Sequence, residues 1–292
     1  MRMRSLGEYI LYFFFYSFCG WFYESVLCSI AGKHIVNRGF LNGPICPVYG
    51  FGALLIVMFL SPIQDAPVLL LFLAGAALTC TLEYFTSYLM EKLFHARWWD
   101  YSARRFNISG RVCLEGALVF GAFSVAMLRV FHPPVALFVH RINETLLYAL
   151  SGSLFALLAV DTAVTSGHVL RLNGHLAEIQ AALNGYRQSI ESQTSALLTQ
   201  LDGQKNALLG QVEERREYLL GRAEAIWEQV ASQFENSPFH SERIQKLLSL
   251  RSYQDRRLFH AFPGLNSTRY GEAFKKFRDR ALSFKKNSEK DI

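Results

Sequence analysis

The sequence contains five cysteines, and none of them has the spacing of a metal site. No C-x-x-C pair occurs, and no cysteine lies near a histidine at the separation that zinc ligands need. A small thiol buried in an apolar setting behaves as an apolar side chain. The sequence therefore predicts no metal centre and implies no cofactor. All five cysteines lie in or beside apolar stretches, at Cys19, Cys28, Cys46, Cys80 and Cys113.

Two further classes of motif are missing. The chain has no G-x-x-x-x-G-K-[ST] sequence, so an ATPase of the P-loop type would have to be a separate chain. It also has no known DNA- or RNA-binding motif, and charge alone is weak support for such binding. Nucleic acid is therefore not an expected partner.

The polar residues do not form a recognisable catalytic constellation. His95 and Asp100, together with Glu83 and Glu115, would supply acid–base groups to an intramembrane enzyme that acts on lipid head groups. No spacing among them specifies a nucleophile or a set of metal ligands. We therefore expect that the protein is not an enzyme.

Charged residues are scarce in five apolar stretches, at residues 9–31, 44–61, 66–90, 112–131 and 144–166. Each stretch is close to the ~20 residues that a helix needs to cross a bilayer. The pattern predicts an all-α fold, a polytopic membrane helical bundle of about five transmembrane helices in a domain of residues 1–166. The second stretch is short and begins Gly43-Pro44-Ile45-Cys46-Pro47, so we expect its start to be broken or re-entrant.

Basic residues in the short loops set the predicted orientation. The second loop, at 62–65, has none. With five spans, the first and third loops lie on the same side as the C-terminus, which is therefore predicted to be cytoplasmic. The N-terminus would then be outside, although Arg2 and Arg4 oppose that placement. The first and third loops together carry Lys33, Arg38, Lys92, Arg97, Arg104, Arg105 and Arg111.

Four carboxylates lie in or at the ends of the spans, all in the predicted cytoplasmic half of the membrane: Glu24, Glu83, Glu115 and Asp161. Ionisable residues inside a bilayer are costly and mark functional sites. Pairing with Arg38, Arg97 or Arg111 would relieve their charge. The sequence thus predicts a membrane-embedded polar cluster. The alternative is that some of them, above all Glu115 and Asp161, reach the headgroup region at helix ends.

The two basic loops combine aromatic, amide, glycine and arginine residues, as folded loops do. We therefore predict that they form a docked cytoplasmic cap over the polar cluster. The alternative is an interfacial aromatic belt in which Trp98, Trp99 and Tyr101 anchor helix ends. The predicted loop partners of the cluster are Arg38, Asn42, Arg97, Trp98, Trp99, Asp100, Asn107 and Arg111.

Residues 167–236 carry apolar residues at alternating steps of four and three, from Leu172, Leu176, Ile179 and Leu183 onward. This spacing is typical of an amphipathic, coiled-coil-like helix. Its seam predicts self-association or a helical protein partner through residues 170–235. Glycines in this region weaken a helix by ~1 kcal/mol each, so we expect breaks. The tail is therefore either one long helix or a hairpin that turns at Gly203 or Gly210.

Residues 237–292 form the third predicted domain, a basic helical region with 13 basic and 6 acidic residues. Its last helix, at about 268–286, places Phe274, Phe277, Leu282 and Phe284 among lysines and arginines. Basic residues with apolar anchors suit a lipid surface, so we expect contact with anionic lipid heads.

Several long signatures carry a family resemblance. They are G-W-x-x-E from Gly20 to Glu24, R-G-F-L-N-G-P-I-C-P-V-Y-G-F-G at 38–52, L-E-Y-x-T-S-Y-x-x-E-K-L-F-x-x-x-W-W-D-Y-S at 82–102, and F-N-I-S-G-R-V-C-L at 106–114. Together they resemble the CmpB-like family of bacterial membrane proteins, described as ABC-transporter permeases of type IV. The resemblance covers about 20–160, and the sequence R-L-F-H-A-F-P at 257–263 is also similar to longer members. It implies a bacterial plasma-membrane protein and names no substrate.

Three functions are compatible with these observations. The first is a permease-like membrane subunit of a transporter, with a separate ATP-binding subunit and with the carboxylate–arginine cluster lining or gating a path. The second is a membrane-anchored scaffold or sensor that assembles partners through its coiled-coil-like tail. The third is the lipid-acting enzyme. The resemblance favours the first.

Overall fold

The computed structural model describes residues 5–33, 35–208, 246–248 and 253–288. It divides into two compact units. The first consists of Met1–Asn173 and Tyr253–Arg269, and the second consists of Gly174–Ser252 and Tyr270–Ile292. The domain boundary predicted at 236/237 lies outside the described residues.

The apolar stretches of the first unit are helical, which confirms the predicted all-α fold. They form α1 (Leu6–Gly32), α2 (Pro47–Leu60), α3 (Val68–Phe94), α4 (Leu114–Ala126) and α5 (His132–His140), and the fifth stretch begins α6 (Glu144–Leu208). A 3₁₀ turn at Ser61–Ile63 follows α2, and a π-helical turn at Met127–Phe131 joins α4 to α5.

The predicted five spans become four long helices and one short one. Within the described residues, the helices long and apolar enough to cross a membrane are Leu6–Gly32, Val68–Phe94, Leu114–His140 and Glu144–Leu201. The second stretch forms α2, whose 14 residues reach only ~21 Å against ~30 Å of hydrocarbon. The break expected at the start of the second stretch is present, because the Gly43–Cys46 segment is non-helical.

Local signals explain where these helices begin and end. The Ser5 hydroxyl accepts a hydrogen bond from the Glu8 amide at 3.4 Å and caps α1. Lys33 and His95 adopt left-handed backbone conformations that end α1 and α3. Pro47 occupies the first turn of α2, where its missing N–H group has no helical partner to lose.

The π-helical turn has a cause in the sequence. Pro133 and Pro134 follow it at the start of α5. Neither residue has an N–H group, so neither can bond to the carbonyl groups four residues earlier, at Arg129 and Val130. A π turn accommodates such a gap in the α-helical ladder.

The helices pack closely where glycines face bulky neighbours. Tyr12, Val57, Leu71 and Leu128 belong to the buried core that α1, α2, α3 and the π-helical turn share. A Cβ atom on Gly50 of α2 would lie 2.6 Å from the Phe13 carbonyl oxygen of α1. This helix pair therefore approaches at backbone distance, as small residues permit between membrane helices.

Helix α6 joins the fifth apolar stretch to the start of the tail. It continues without interruption from Glu144 to Leu208, through Gly174, Gly185 and Gly203. The breaks expected at these three glycines, and a turn at Gly203, are therefore wrong. Each glycine is isolated among good helix formers, so a penalty of ~1 kcal/mol per residue does not stop propagation. Gly210 lies outside the described residues.

Two short antiparallel pairs complete the first unit. Strand β1 (Ala96–Arg97) pairs with β4 (Asn266–Ser267), and β2 (Asn107–Ile108) pairs with β3 (Val112–Cys113). Helix α7 (Tyr253–Ala261) precedes β4. The residues of α7 and β4 therefore belong to the same compact unit as the membrane helices.

The second unit contains the later part of α6 and helix α8 (Gly271–Ser288). Here Leu176, Ile179 and Leu183 of α6 are buried. The His175 ring packs edge-on against Phe277, with ring centres 5.7 Å apart, and the Gln180 side-chain oxygen accepts from the Ala273 amide at 3.2 Å. This part of α6 thus packs against α8 of the same chain.

The same packing corrects one part of the lipid prediction. Phe274 and Phe277 are 2% and 1% exposed, because they face the interior of the second unit. They are therefore not available as apolar anchors in a bilayer. The exposed side of α8 keeps basic residues such as Lys275.

Candidate functional site

Glu24 lies near the C-terminal end of α1 and contacts two residues from other parts of the chain. Tyr49 of α2 donates a hydrogen bond from its hydroxyl to Glu24 Oε1 at 2.5 Å. The Arg38 Nε atom lies 3.4 Å from Glu24 Oε2. Gly20, one turn before Glu24, leaves room for the Tyr49 ring, which any Cβ at position 20 would overlap. The structure thus brings Glu24 together with Arg38, one of the three arginines expected to pair with the acids.

Glu83 of α3 is the most buried of the four predicted carboxylates, at 8% exposure. Its Oε1 atom accepts a hydrogen bond from the Tyr101 hydroxyl at 3.2 Å. Its Oε2 atom is buried and has no hydrogen-bond partner within the part of the chain that the structure describes. Glu24 is close enough for the two carboxylate charges to interact. Two of the four acids therefore lie together.

Tyr101 belongs to the third loop, and the charges of both acids affect its phenol. Burial raises the pKa of its phenol well above the usual range, and the charge of Glu83 raises it further. The Glu24 charge acts in the same direction. The phenol therefore stays protonated and serves as a hydrogen-bond donor.

Arg97 and Arg111 pair with an acid that the sequence analysis did not identify. Glu91 Oε2 lies 2.7 Å from Arg111 Nη2 and 3.1 Å from Arg97 Nε. Arg111 also donates from Nη1 to the Ser87 hydroxyl at 3.2 Å. Glu91 follows the third apolar stretch in the sequence, but it lies within α3. The spacing of Glu83, Ser87 and Glu91 by four places them on one helix face and could have revealed it.

The other two predicted carboxylates have different surroundings. Glu115 is exposed and pairs with Arg104 at 3.0 Å. Asp161 of α6 accepts from the Gly43 amide at 2.8 Å and from the Asn42 amide and side chain at 3.1 and 2.9 Å. It also accepts from the Thr165 hydroxyl at 3.1 Å. Asp161 thus holds the first loop.

The first loop, residues 35–46, is fixed to α1 as well. The Trp21 indole donates to Asn37 Oδ1 at 2.6 Å, and the Ser25 hydroxyl accepts from the Arg38 amide at 3.1 Å. At the end of the loop, the Cys46 amide donates to the Ser17 carbonyl at 2.9 Å. These contacts fix both ends of the first loop on α1.

The third loop, residues 95–113, is folded rather than extended. Asp100 Oδ1 accepts from the amide and the hydroxyl of Ser102, and these bonds lower the pKa of Asp100. Asn107 Oδ1 accepts from the Gly110 amide at 2.9 Å. Gly110 has a φ of +67° and no room for a Cβ atom beside Asp100 and Ser102. Only glycine suits this position without strain.

Of the two tryptophans of this loop, Trp98 packs inside the protein and Trp99 is half-buried. Trp98 is 4% exposed, and its ring lies edge-on against Phe40 and Phe262 with centres 5.0 Å apart in both cases. The Trp99 indole donates to the Arg111 carbonyl at 3.1 Å. Trp98 is therefore not part of an interfacial belt, because no face of it is left for lipid.

Helix α7 holds the first loop from the other side. The Arg257 guanidinium donates from Nη1 to the carbonyls of Gly39 and Leu41, at 3.0 and 2.9 Å, and from Nη2 to that of Phe40 at 3.0 Å. Burial lowers the pKa of Arg257, and the nearby charge of Asp161 opposes this shift. Gln254 donates to Asn42 Oδ1 at 3.2 Å.

The segment after α7 contacts both loops. The Arg38 guanidinium lies over the Phe262 ring, 4.6 Å from its centre, which is a cation–π distance. The Thr268 amide donates to the His95 carbonyl at 2.9 Å, beside the β1–β4 pair. Residues 253–269 therefore fasten the first and third loops, and we name the two loops with this segment the clasp.

Comparison with known families identifies one that matches this chain. The family described as "Putative ABC-transporter type IV" matches residues 11–166, which is more than half of the chain. The chain belongs to this ABC-transporter type IV family. The comparisons with curated proteins and with solved structures found no match.

The family match begins within α1 at residue 11, includes both loops and Asp161, and ends within α6 at residue 166. It confirms the family resemblance of the long signatures, and the membrane context and transporter relationship of the matched region follow from it. Arg257 and the rest of the 253–269 segment lie beyond the matched region, although they contact it directly. Among the described residues, no group of three or more His, Cys, Asp or Glu side chains could hold a metal ion.

Proposed function

We propose that this chain is the permease-like membrane subunit of a transporter, in which the cluster around Glu24 and Glu83 lines or gates a path. The observation that carries the proposal is the neighbouring pair of carboxylates on α1 and α3, with Tyr49, Tyr101 and Arg38 as partners. Polar groups within membrane helices are expensive and are kept in membrane proteins for substrate or ion pathways.

The broken backbone of the first loop supports the same function. Residues 35–46 are non-helical, and α2 begins only at Pro47. Transporters place such irregular backbone beside a binding site, where protein or water satisfies its polar groups. Here Asp161 satisfies amides of the loop and Arg257 satisfies its carbonyls.

We further propose that the clasp lies on the cytoplasmic side and that a separate chain supplies ATP hydrolysis. The basic residues of the two loops favour the cytoplasmic placement. A thiol introduced at Ser5 should react with an impermeant maleimide in intact cells, whereas one at exposed Arg105 should react only after permeabilisation. The reverse pattern would contradict the proposed orientation.

The partner is tested by affinity purification of the full chain from crosslinked native membranes. A stoichiometric ATP-binding protein should copurify. Glu24→Gln and Glu83→Gln should retain this partner and the folded state but lose stimulation of its ATPase, whereas Glu115→Gln, at an exposed ion pair, should retain it. Copurification of envelope proteins without an ATPase would contradict the permease function.

A scaffold function remains the second candidate, and one observation favours it. Leu198 of α6 is 57% exposed, although Leu176, Ile179 and Leu183 earlier in the helix are buried within the chain. A partner helix would therefore bind beyond Ile190. If the protein is a scaffold, Leu198→Glu should abolish crosslinking between copies of the chain. If it is a permease subunit, the same substitution should leave copurification of the ATP-binding protein intact.

A further inference from the structure

Glu83 differs from the other acids of this region in having no cationic partner within the described ranges. The carboxylates of Glu24, Glu91 and Asp100 each lie within 4 Å of a guanidinium group. Arg38 pairs with Glu24, and the other two arginines pair with Glu91. Glu83 is the acid for which no cation is provided among the described residues.

The position of Glu83 makes the lack of a cation costly. Its side chain is buried, and an isolated carboxylate in an apolar setting is strongly unfavourable. Its Oε1 atom accepts a hydrogen bond from the Tyr101 hydroxyl, whereas its buried Oε2 atom accepts none from the described part of the chain. A proton on this oxygen would neutralise the carboxylate.

We propose that Glu83 is a proton-binding site, protonated on Oε2 and able to exchange that proton with the transport path. A proton neutralises the acid without requiring another side chain and leaves Oε1 as the acceptor for Tyr101. The titratable groups that face it are Glu24 of α1, Tyr101 of the third loop, and Cys80 of its own helix. Two more lie nearby, Cys113 of β3 and Tyr49 of α2.

The neighbours of Glu83 would tune this site in opposite directions. The Glu24 charge repels a second negative charge and so favours the protonated form of Glu83. The Tyr101 hydroxyl donates to the carboxylate and so favours the ionised form. Neutralising Glu24 should therefore lower the pH at which Glu83 is half protonated, and removing the Tyr101 hydroxyl should raise it.

Infrared difference spectroscopy on the full chain in nanodiscs tests the site without any substrate. The carbonyl stretch of a buried carboxylic acid should be present near neutral pH, vanish on raising the pH, and be lost in Glu83→Gln. The midpoint should fall by about one pH unit or more in Glu24→Gln and rise in Tyr101→Phe. Glu115→Gln, at an exposed ion pair, should leave the band unchanged.

Several outcomes would overturn the proposal. They are an unchanged band in Glu83→Gln, no such band at any pH where the protein is folded, or loss of the band on adding sodium at constant pH, which would assign the charge to a metal cation. If Glu83→Gln does not fold, the expected rise of the midpoint in Tyr101→Phe still tests the site. The role of the proton in transport rests on the proposed function, but the infrared band does not, so the two can fail separately.

Discussion

Arg257 donates hydrogen bonds to the main-chain carbonyls of Gly39 and Leu41, at 3.0 and 2.9 Å. The two residues are more than 200 positions earlier in the chain, yet both belong to the same compact unit as Arg257. On the other side of the loop, Asp161 accepts from the amides of Asn42 and Gly43. A cation therefore binds the carbonyls of the loop and an anion binds its amides, which fixes one backbone conformation.

The Arg257 contacts predict a strong preference for arginine. Arg257→Lys should lower the free energy of unfolding by roughly 2 kcal/mol, because an ammonium cannot reach three carbonyls with a planar fork. Hydrogen exchange of the amides in residues 38–44 should become faster, and thermal unfolding in detergent should shift downward.

The adjacent residue provides a matched control for this change. Arg256 is exposed, so Arg256→Lys should leave both measurements unchanged. Equal effects of the two substitutions would mean that Arg257 acts through general charge and does not bind the loop.

Close approach of α1 and α2 gives a second prediction. Gly50→Ala should destabilise the protein by about 1–3 kcal/mol, because the new Cβ atom would meet the Phe13 carbonyl at 2.6 Å and would overlap the Ser17 hydroxyl. Thermal unfolding of the purified variant in detergent measures this effect.

Two residues farther along α2, a matched substitution should be harmless. A Cβ atom at Gly52 would lie 3.7 Å from Leu82, which is an ordinary van der Waals contact. Gly52→Ala should therefore be neutral or slightly stabilising. A large loss in Gly52→Ala and none in Gly50→Ala would contradict the helix packing described above.

The sequence predicted the helices well because apolar length alone determines them. It named Arg38 among three possible arginine partners of the four acids, but it did not say which acid each arginine would contact. It also indicated the short second helix, because glycine and prolines stand at the Gly43–Cys46 segment and just after it. It could not decide between one long helix and a hairpin for the tail, since isolated glycines weaken a helix without ending it.

The clasp itself could not be derived from the sequence. Its contacts join residues far apart along the chain, such as Arg257 with Phe40 and Thr268 with His95. By charge alone, Arg257 is one of 13 basic residues in a tail that we expected to bind lipid. Its binding to backbone carbonyls depends on tertiary geometry, which neither periodicity nor hydropathy encodes.

Asp161 gives a third prediction. Asp161→Asn should destabilise the first loop by about 1–3 kcal/mol, because an amide nitrogen would then face amide donors from Asn42 and Gly43. Hydrogen exchange at residues 38–44 should accelerate, as in Arg257→Lys. Glu144→Gln, at the start of the same helix, is the control. Unchanged exchange in Asp161→Asn would show that the side-chain hydrogen bonds do not hold the loop.

The β1–β4 pair gives a fourth prediction, which concerns the placement of the segment after α7. Ala96 and Ser267 are directly opposed in the antiparallel register. Cysteines at both positions, in a background without the five native cysteines, should form a disulfide, because opposed residues of neighbouring strands share a face at bridging distance. Mobility on a non-reducing gel after mild oxidation detects the bond.

The register offers a matched control for this bond. Arg97 pairs with Asn266, so Arg97 and Ser267 point to opposite faces of the two-stranded pair. Cysteines at Arg97 and Ser267 should therefore not crosslink under the same oxidant, although they differ from the test pair by one residue. Equal crosslinking of both pairs would mean that the segment is mobile or in another register, and the clasp would then lack its β-strand contact.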